Sequence, residues 1–388
     1  MNDQASTENH YVARAPKRLS SVGWYAYAPS VRRRAVRSPL ASARVRGIAA
    51  ALGAALLFGL STPAAKVLVP TADPFMLGSV LYLGAGLSLS LLRVAGRKQS
   101  QEAPLRGADI PLLLGITAAG AVVAPVLLLV GLRRVSAVTA SLALNLEGPL
   151  TVVLAVLFFG EHLSSRTAVG TFLIMLGAAI LGFTPGAALG GDALGVLCIA
   201  GACLGWALDN NLTSRLSLRD PVAIVQAKGL IGGATSLGLA FLVGSEVPPV
   251  ATLAGGLLLG LVSYGTSVVL AVYAMRLIGV AREAAFFATA PFIGALVSVA
   301  VLGEHFGPRE LGATLVMLVA IGLLVLEQHA HLHVHEPLEH DHRHVHDEHH
   351  QHAFLQGHPA GEPHAHRHRH TALEHDHPHL PDLHHRHH

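Results

Sequence analysis

The side chains of this chain that could do chemistry are few, and the sharpest stand inside apolar stretches. Glu147 lies about midway along one of them, in Asn145-Leu146-Glu147-Gly148-Pro149; Asp209, Asn210 and Asn211 stand in a row after Trp206 near the end of another. An ionisable group at mid-bilayer costs roughly 2.5–3.5 kcal/mol on insertion scales, so each asks for a reason. For Glu147 one reason is proton traffic: a carboxyl held away from water can take up and release a proton as its surroundings change. Gly148 and Pro149 also weaken the helix and can free carbonyls to bind a ligand. The other reason is structural, a carboxyl that pairs with a neighbouring helix. Three polar side chains in a row cannot share one side of a helix, so at least one of Asp209, Asn210 and Asn211 should face a cavity. Asp209 is about 9 Å in from its helix end and Lys228 about 12 Å into the next stretch, depths that allow an ion pair. Otherwise Asp209 marks an interfacial helix end and Lys228 snorkels. Ser61 and Thr62 either line a cavity or bond back to carbonyls, and nearby Lys66 is placed to snorkel. Trp206, Tyr82, Tyr264 and Tyr273 either stack on a substrate or serve packing and interfaces.

A second chemistry sits apart. Residues 329–388 carry 23 of the 26 histidines, interleaved with acids and prolines. His331, His333, His335, His340, His342, His344, His346, His364, His366, His368, His370, His375, His377 and His379 offer imidazoles suited, with neighbouring carboxylates, to Zn, Ni, Co or Cu. Weak, multisite binding follows from the chemistry; storage, sensing, delivery to the rest of the chain and mere solubility stay open as its use. The segment holds too few apolar residues to bury a core and is expected to be disordered. Cys198 and Cys203 fit neither a zinc pattern nor a disulfide framework. No cofactor is required, and a divalent transition metal on the tail is the one candidate.

The elements that position these groups follow from composition. The chain is 52% hydrophobic and 13% charged, with mean hydropathy +0.50, and residues 47–327 are almost continuously apolar. Such a region breaks into stretches near the length a bilayer demands, and backbone in lipid must bond internally, so helices follow. Spans are expected near 47–69, 75–93, 109–131, 136–158, 167–183, 193–213, 221–243, 251–274, 281–302 and 309–326. Gly160-Glu161-His162 reappears as Gly303-Glu304-His305, 143 residues on, inside a longer ungapped echo in which Arg166 matches Arg309 and Thr171 matches Thr314. The expected fold is therefore an all-α integral membrane protein of ten transmembrane helices in two five-helix repeats, 47–183 and 193–326, with disordered termini. An odd number of spans per half turns the second half upside down, so the repeats are inverted. Glu161 and Glu304 read as caps for the amides of the next helix, and His162 and His305 as incidental.

Basic residues set the orientation. With the amino terminus inside, inner segments of the first 327 residues hold about eighteen Arg and Lys, and outer loops hold Arg133, Arg134 and Arg309. Residues 1–46 carry nine Arg and Lys against two acids and read as a disordered cytoplasmic arm attracted to anionic lipid. Both termini are then cytoplasmic, in a multi-pass protein of the inner (plasma) membrane.

Ten spans in two halves, each with a Gly-Glu turn between its fourth and fifth helices, resemble the drug/metabolite transporter superfamily, specifically its EamA-domain members. LFGLSTPAAKVL from Leu57 and GWALDNNLTSRL from Gly205 resemble the family's helix-start pattern. NLEG (Asn145–Gly148), DNNLT (Asp209–Thr213) and the His-rich tail resemble one branch of it. The resemblance implies a central cavity lined by spans 1, 3, 4, 6, 8 and 9, with 5 and 10 packed outside. It also implies Arg or Lys early in the second helix, where this chain has Tyr82.

Two function classes remain. The favoured one is proton-coupled secondary transport, by export, of small organic metabolites or amino acids, the substrate class being what the resemblance implies. The alternative is a transition-metal carrier or membrane metal sensor with the tail as collector; against it, the spans contain no His and two Cys. No nucleotide loop, nucleophile triad or catalytic metal motif is present, so an enzyme is not expected. Expected partners are a metabolite, protons, the lipid bilayer and transition-metal ions, with no nucleic acid; a homodimer is compatible with the sequence.

Overall fold

The computed structural model describes residues 39–96, 103–159, 164–183, 192–216, 219–278 and 280–325, and four short strands between 330 and 378. The chain divides into two units, Met1–Pro39 and Leu40–His388, and the second carries the helical region and the strands.

Fifteen α-helical pieces are described. α1 (Pro39–Gly59) and α2 (Ser61–Leu68) form one span broken at Leu60, and α3 (Pro74–Gly96) the next. α4 (Ile110–Thr117) and α5 (Ala124–Leu132) are joined through a π-turn over Ala118–Val123. α6 (Ala137–Ala143) passes through a 3₁₀ turn, Leu144–Leu146, into α7 (Glu147–Phe159). α8 (Ser165–Gly182), α9 (Asp192–Thr213) and α10 (Pro221–Leu242) are unbroken. α11 (Val250–Leu259) and α12 (Ser267–Ile278) are joined through a second π-turn, Gly260–Thr266. α13 (Val280–Phe287) is followed after Ala288 and Thr289 by α14 (Ala290–Leu302), and α15 (Pro308–Val325) comes last. Among the described residues nine helices are long and apolar enough to cross a membrane, the last of them Arg282–Leu302. The tenth expected span coincides with α15, eighteen residues long.

The breaks have local causes. Proline has no N–H to give the carbonyl four residues back, so Pro63, Pro149 and Pro291 each leave a carbonyl without its helical donor, at Gly59, Asn145 and Phe287. The 143-residue period seen in the sequence recurs in the element boundaries. α7 begins at residue 147 and α14 at 290; α8 begins at 165 and ends at 182, and α15 begins at 308 and ends at 325. The two π-turns begin at 118 and 260, 142 apart.

Packing pairs the matching helices. α8 lies along α15, with Ile174, Ala178 and Leu181 in one buried cluster with Ala313, Met317 and Ala320. α3 lies along α10 at glycine contacts: a methyl on Gly229 would stand 2.8 Å from the Gly86 nitrogen, so no larger residue fits without parting the helices. Small residues are what allow membrane helices to approach so closely.

Composition gives no reason for regular structure in the tail, yet four strands are described there. β1 (Ala330–His335) pairs antiparallel with β4 (Leu373–Pro378), and β2 (Glu339–His344) with β3 (His364–Arg369). Ladder bonds run between backbone groups, so pairing of this kind does not itself require an apolar face.

Candidate functional site

The site is built where α9 meets the π-turn in the third span. In that turn Ala124 N–H goes to the Ala119 carbonyl, and the next donor along is Pro125, which has none. The Gly120 carbonyl is thereby left to side chains. Tyr82 Oη donates to it at 2.6 Å and Trp206 Nε1 at 3.0 Å, both from buried positions. Tyr82, in place of the expected cation, thus binds backbone instead of carrying charge.

Gly120 also makes room for an acid. A methyl there would lie 2.0 Å from Asp209 Oδ2, so only glycine lets the carboxylate approach. Asp209 is 3% exposed and its charge is met by Lys228, whose Nζ donates to Oδ2; Thr213 Oγ1 donates to Oδ1 at 3.1 Å. The pairing allowed by depth is present, and it joins α9 to α10.

Glu147 heads α7 directly after the 3₁₀ turn, and its Oε1 accepts from Asn210 Nδ2 at 2.9 Å. Asp209 and Asn210 are adjacent, so one turn of α9 carries both contacts: Asp209 toward α10 and Asn210 toward α7. Neighbouring expectations resolve differently. Asn211 Nδ2 donates to the Thr151 carbonyl at 3.1 Å and to Ala207 at 2.8 Å, pinning α9 to α7. Asn145 Nδ2 is committed to the Leu142 carbonyl at 2.9 Å and reaches Met317 Sδ at 3.7 Å, so it does not join Glu147. Ser61 and Thr62 are buried in α2. Tyr264 packs on Tyr82 with ring centroids 5.5 Å apart and on Phe58 at 6.2 Å, whereas Tyr273 is 44% exposed. Cys203 is a packed thiol near the Ala143 and Leu144 carbonyls.

Charged groups close the two ends of α3. At its start, Lys66 does not snorkel: Nζ donates to the Leu132 and Val135 carbonyls, both at 2.6 Å, ending α5. Arg133 Nη2 donates to the Ala72 carbonyl at 2.6 Å. Glu304 is a cap, but for α6 instead of the next helix. Its Oε1 and Oε2 accept from Ala137 N and Val138 N at 2.8 Å each, while the following helix is served by Glu310, which accepts from Gly307 N at 3.0 Å. A carboxylate takes whichever unpaired amides lie within reach, and Glu310 already serves the Gly307 amide just before α15. At the other end of α3, Arg93 pairs with Asp220, which also caps α10, and Arg219 pairs with Asp109 at 2.8 Å.

Two residues escape sequence reasoning. Gly120 could have been found from Pro125 five positions on. Glu283, 4% exposed in α13, falls inside the span expected at 281–302, next to Arg282. Among the described residues no group of three His, Cys, Asp or Glu is placed to hold a metal. In the tail, backbone register sets His331 opposite His377, His333 opposite His375, His340 opposite His368, His342 opposite His366 and His344 opposite His364. Glu161, His162, His346, His370 and His379 lie outside the described residues.

A family model described as the EamA-like transporter family matches residues 45–183 and 193–326. The chain is similar to an uncharacterized transporter of Methanothermobacter thermautotrophicus, 30% identical over 301 residues that cover 72% of this chain and 86% of that protein. A solved crystal structure shares the fold at TM-score 0.54 and 17% identity, covering 74% of this chain and 96% of its own.

Proposed function

The chain belongs to the EamA-like transporter family, and from that premise we propose that it is a secondary carrier that exports a small organic metabolite or amino acid in exchange for protons. Ten spans in two inverted halves give it alternating access, α15 being the tenth. The recurrence of boundaries at 147 and 290, and at 165 and 308, supports this reading. The basic bias of the inner segments supports a plasma-membrane protein with both termini cytoplasmic.

The observation that carries the mechanism is the placement of Glu147. It begins α7 at a helix break, and its described side-chain partner is Asn210, next to the Asp209–Lys228 pair. A proton arriving at Glu147 turns a charge-assisted hydrogen bond into a neutral one, roughly half as strong. That loosens the tie between α7 and α9, and its release restores the tie. Trp206 and Tyr82, fixed on the Gly120 carbonyl, give the same region two buried aromatic walls.

The tail is a separate device that collects transition metals. The pairing register that sets histidine opposite histidine along both ladders supports it.

Vesicles carrying the purified protein, assayed against a panel of amino acids, organic acids and metal ions under an imposed pH gradient, test the reading. Transport of an organic solute that follows the gradient is expected, and Glu147→Gln should abolish that dependence while the protein still inserts and folds. Gradient-driven transport that is unchanged in Glu147→Gln removes this carboxyl from the mechanism.

A further inference from the structure

Alternate residues of a strand lie on opposite faces of its sheet, and along the tail that alternation sorts the residue types. In the β2–β3 ladder His340, His342 and His344 stand opposite His368, His366 and His364, so one face is histidine at all six positions. The other face carries Glu339 opposite Arg369, Asp341 opposite Arg367 and Arg343 opposite Ala365. In the β1–β4 ladder His331 stands opposite His377 and His333 opposite His375; His335 shares their face but meets Leu373. The other face there holds no histidine: Ala330, Leu332 and Val334 stand opposite Pro378, Asp376 and Glu374. Both ladders keep one common register, since three residues separate β1 from β2 and three separate β3 from β4. Opposite charges on directly opposite residues stabilise a ladder. A one-residue slip would set His340 against an arginine and break up the histidine face.

Directly opposite residues of an antiparallel pair have Cβ atoms about 4.5–5.5 Å apart, and the next residue on the same face is about 7 Å along the strand. Two neighbouring histidine pairs therefore make a rectangle of four imidazole-bearing positions, the number of ligands a structural zinc site takes. Imidazole suits Zn, Cu and Ni, whereas Mg and Ca need oxygen ligands, and neither histidine face carries an acid. No cage of three ligands stands ready-made among the described residues. The register supplies neighbouring positions and the ion draws them together, so binding and ordering are one step. We propose that the tail holds two discrete four-imidazole sites for a zinc-type ion, one per ladder; this rests on its metal-collecting role and adds to it a stoichiometry and an address. The β1–β4 site is His331, His333, His375 and His377. In β2–β3 the site is the central pair, His342 and His366, with one flanking pair. The two outer pairs stand four residues apart along the strand, about 14 Å, too far to share an ion.

Zinc chloride titrated into the purified full chain against a chromophoric chelator counts the tight equivalents. Two are expected, with weaker binding beyond them, and magnesium chloride should not compete. His342→Gln/His366→Gln removes two of the 26 histidines and should lower the tight count from two to one. His333→Gln/His375→Gln should do the same through the other ladder, and all four substitutions together should leave none. His384→Gln/His385→Gln, at positions in neither ladder, removes as many imidazoles and should keep both equivalents. A loss that follows histidine number, equal in the three double variants, would overturn the two-site assignment and leave a tail that collects metal without fixed sites. No zinc bound by the full chain would overturn the collecting role and this assignment with it.

Discussion

Gly120→Ala puts the central contact under direct test. The added methyl would lie 2.0 Å from Asp209 Oδ2, 2.4 Å from Cγ and 2.8 Å from Cβ. Rotating the carboxylate relieves the first two distances, but it then leaves Lys228. Removing one partner of a buried ion pair costs about 3–5 kcal/mol. The Lys228 side chain is 19% exposed and can find some water, which favours the lower end. The remaining overlap with Cβ costs about 1 kcal/mol, and alanine's advantage over glycine in a helix returns about as much. The net expectation is a loss of about 3 kcal/mol. In an Asp209→Ala/Lys228→Met background no pair remains to break, so the same substitution should be nearly neutral. The difference between the two backgrounds, about 3 kcal/mol, is the coupling energy. Reversible denaturation in mixed micelles would measure all four proteins. A Gly120→Ala cost that is the same in both backgrounds would refute the claim that this glycine exists to seat Asp209.

Single cysteines at Ser164 and Gly307 should be labelled from opposite faces of the membrane by an impermeant reagent; labelling from one face would end the inverted-repeat reading. Glu304→Ala should destabilise the helical region by about 1–2 kcal/mol, the usual value of a lost cap, and Glu304→Gln, which still accepts hydrogen bonds, should recover part of that in the same melt. Deleting everything after Gln328 should leave solute transport intact and cut metal binding measured by calorimetry. In the full chain, metal affinity should be highest above pH about 6.5 and fall below it, because protonated imidazole cannot ligate.

Much of this architecture is legible in the sequence because lipid enforces simple rules. Apolar length marks the spans, and matched depth brings Asp209 and Lys228 together. What escapes reading depends on hydrogen-bond register, which leaves a faint trace in composition. The π-turns at Ala118–Val123 and Gly260–Thr266 interrupt stretches that read as uniform helices. Asn145 stands two residues from Glu147 in the sequence, yet its amide is committed to the Leu142 carbonyl through the 3₁₀ turn. Lys66 reads as a snorkelling side chain because sequence reveals its depth and hides the carbonyls of Leu132 and Val135. Glu304 reads as a local cap for the same reason: the amides it serves are 167 residues away in the chain.

That last separation sets an order of assembly. On the ribosome, α6 is synthesised 167 residues before the carboxylate that caps it. At the usual elongation rates the wait is about 8–33 s. Ser136 caps Thr139 locally, but throughout the wait the amides of Ala137 and Val138 must be met by water or headgroups, which confines that end of the helix to the membrane boundary. The fourth span is therefore completed among the last, once the ninth span and its Gly-Glu turn have left the translocon. The first repeat, though synthesised first, acquires its final form from the second.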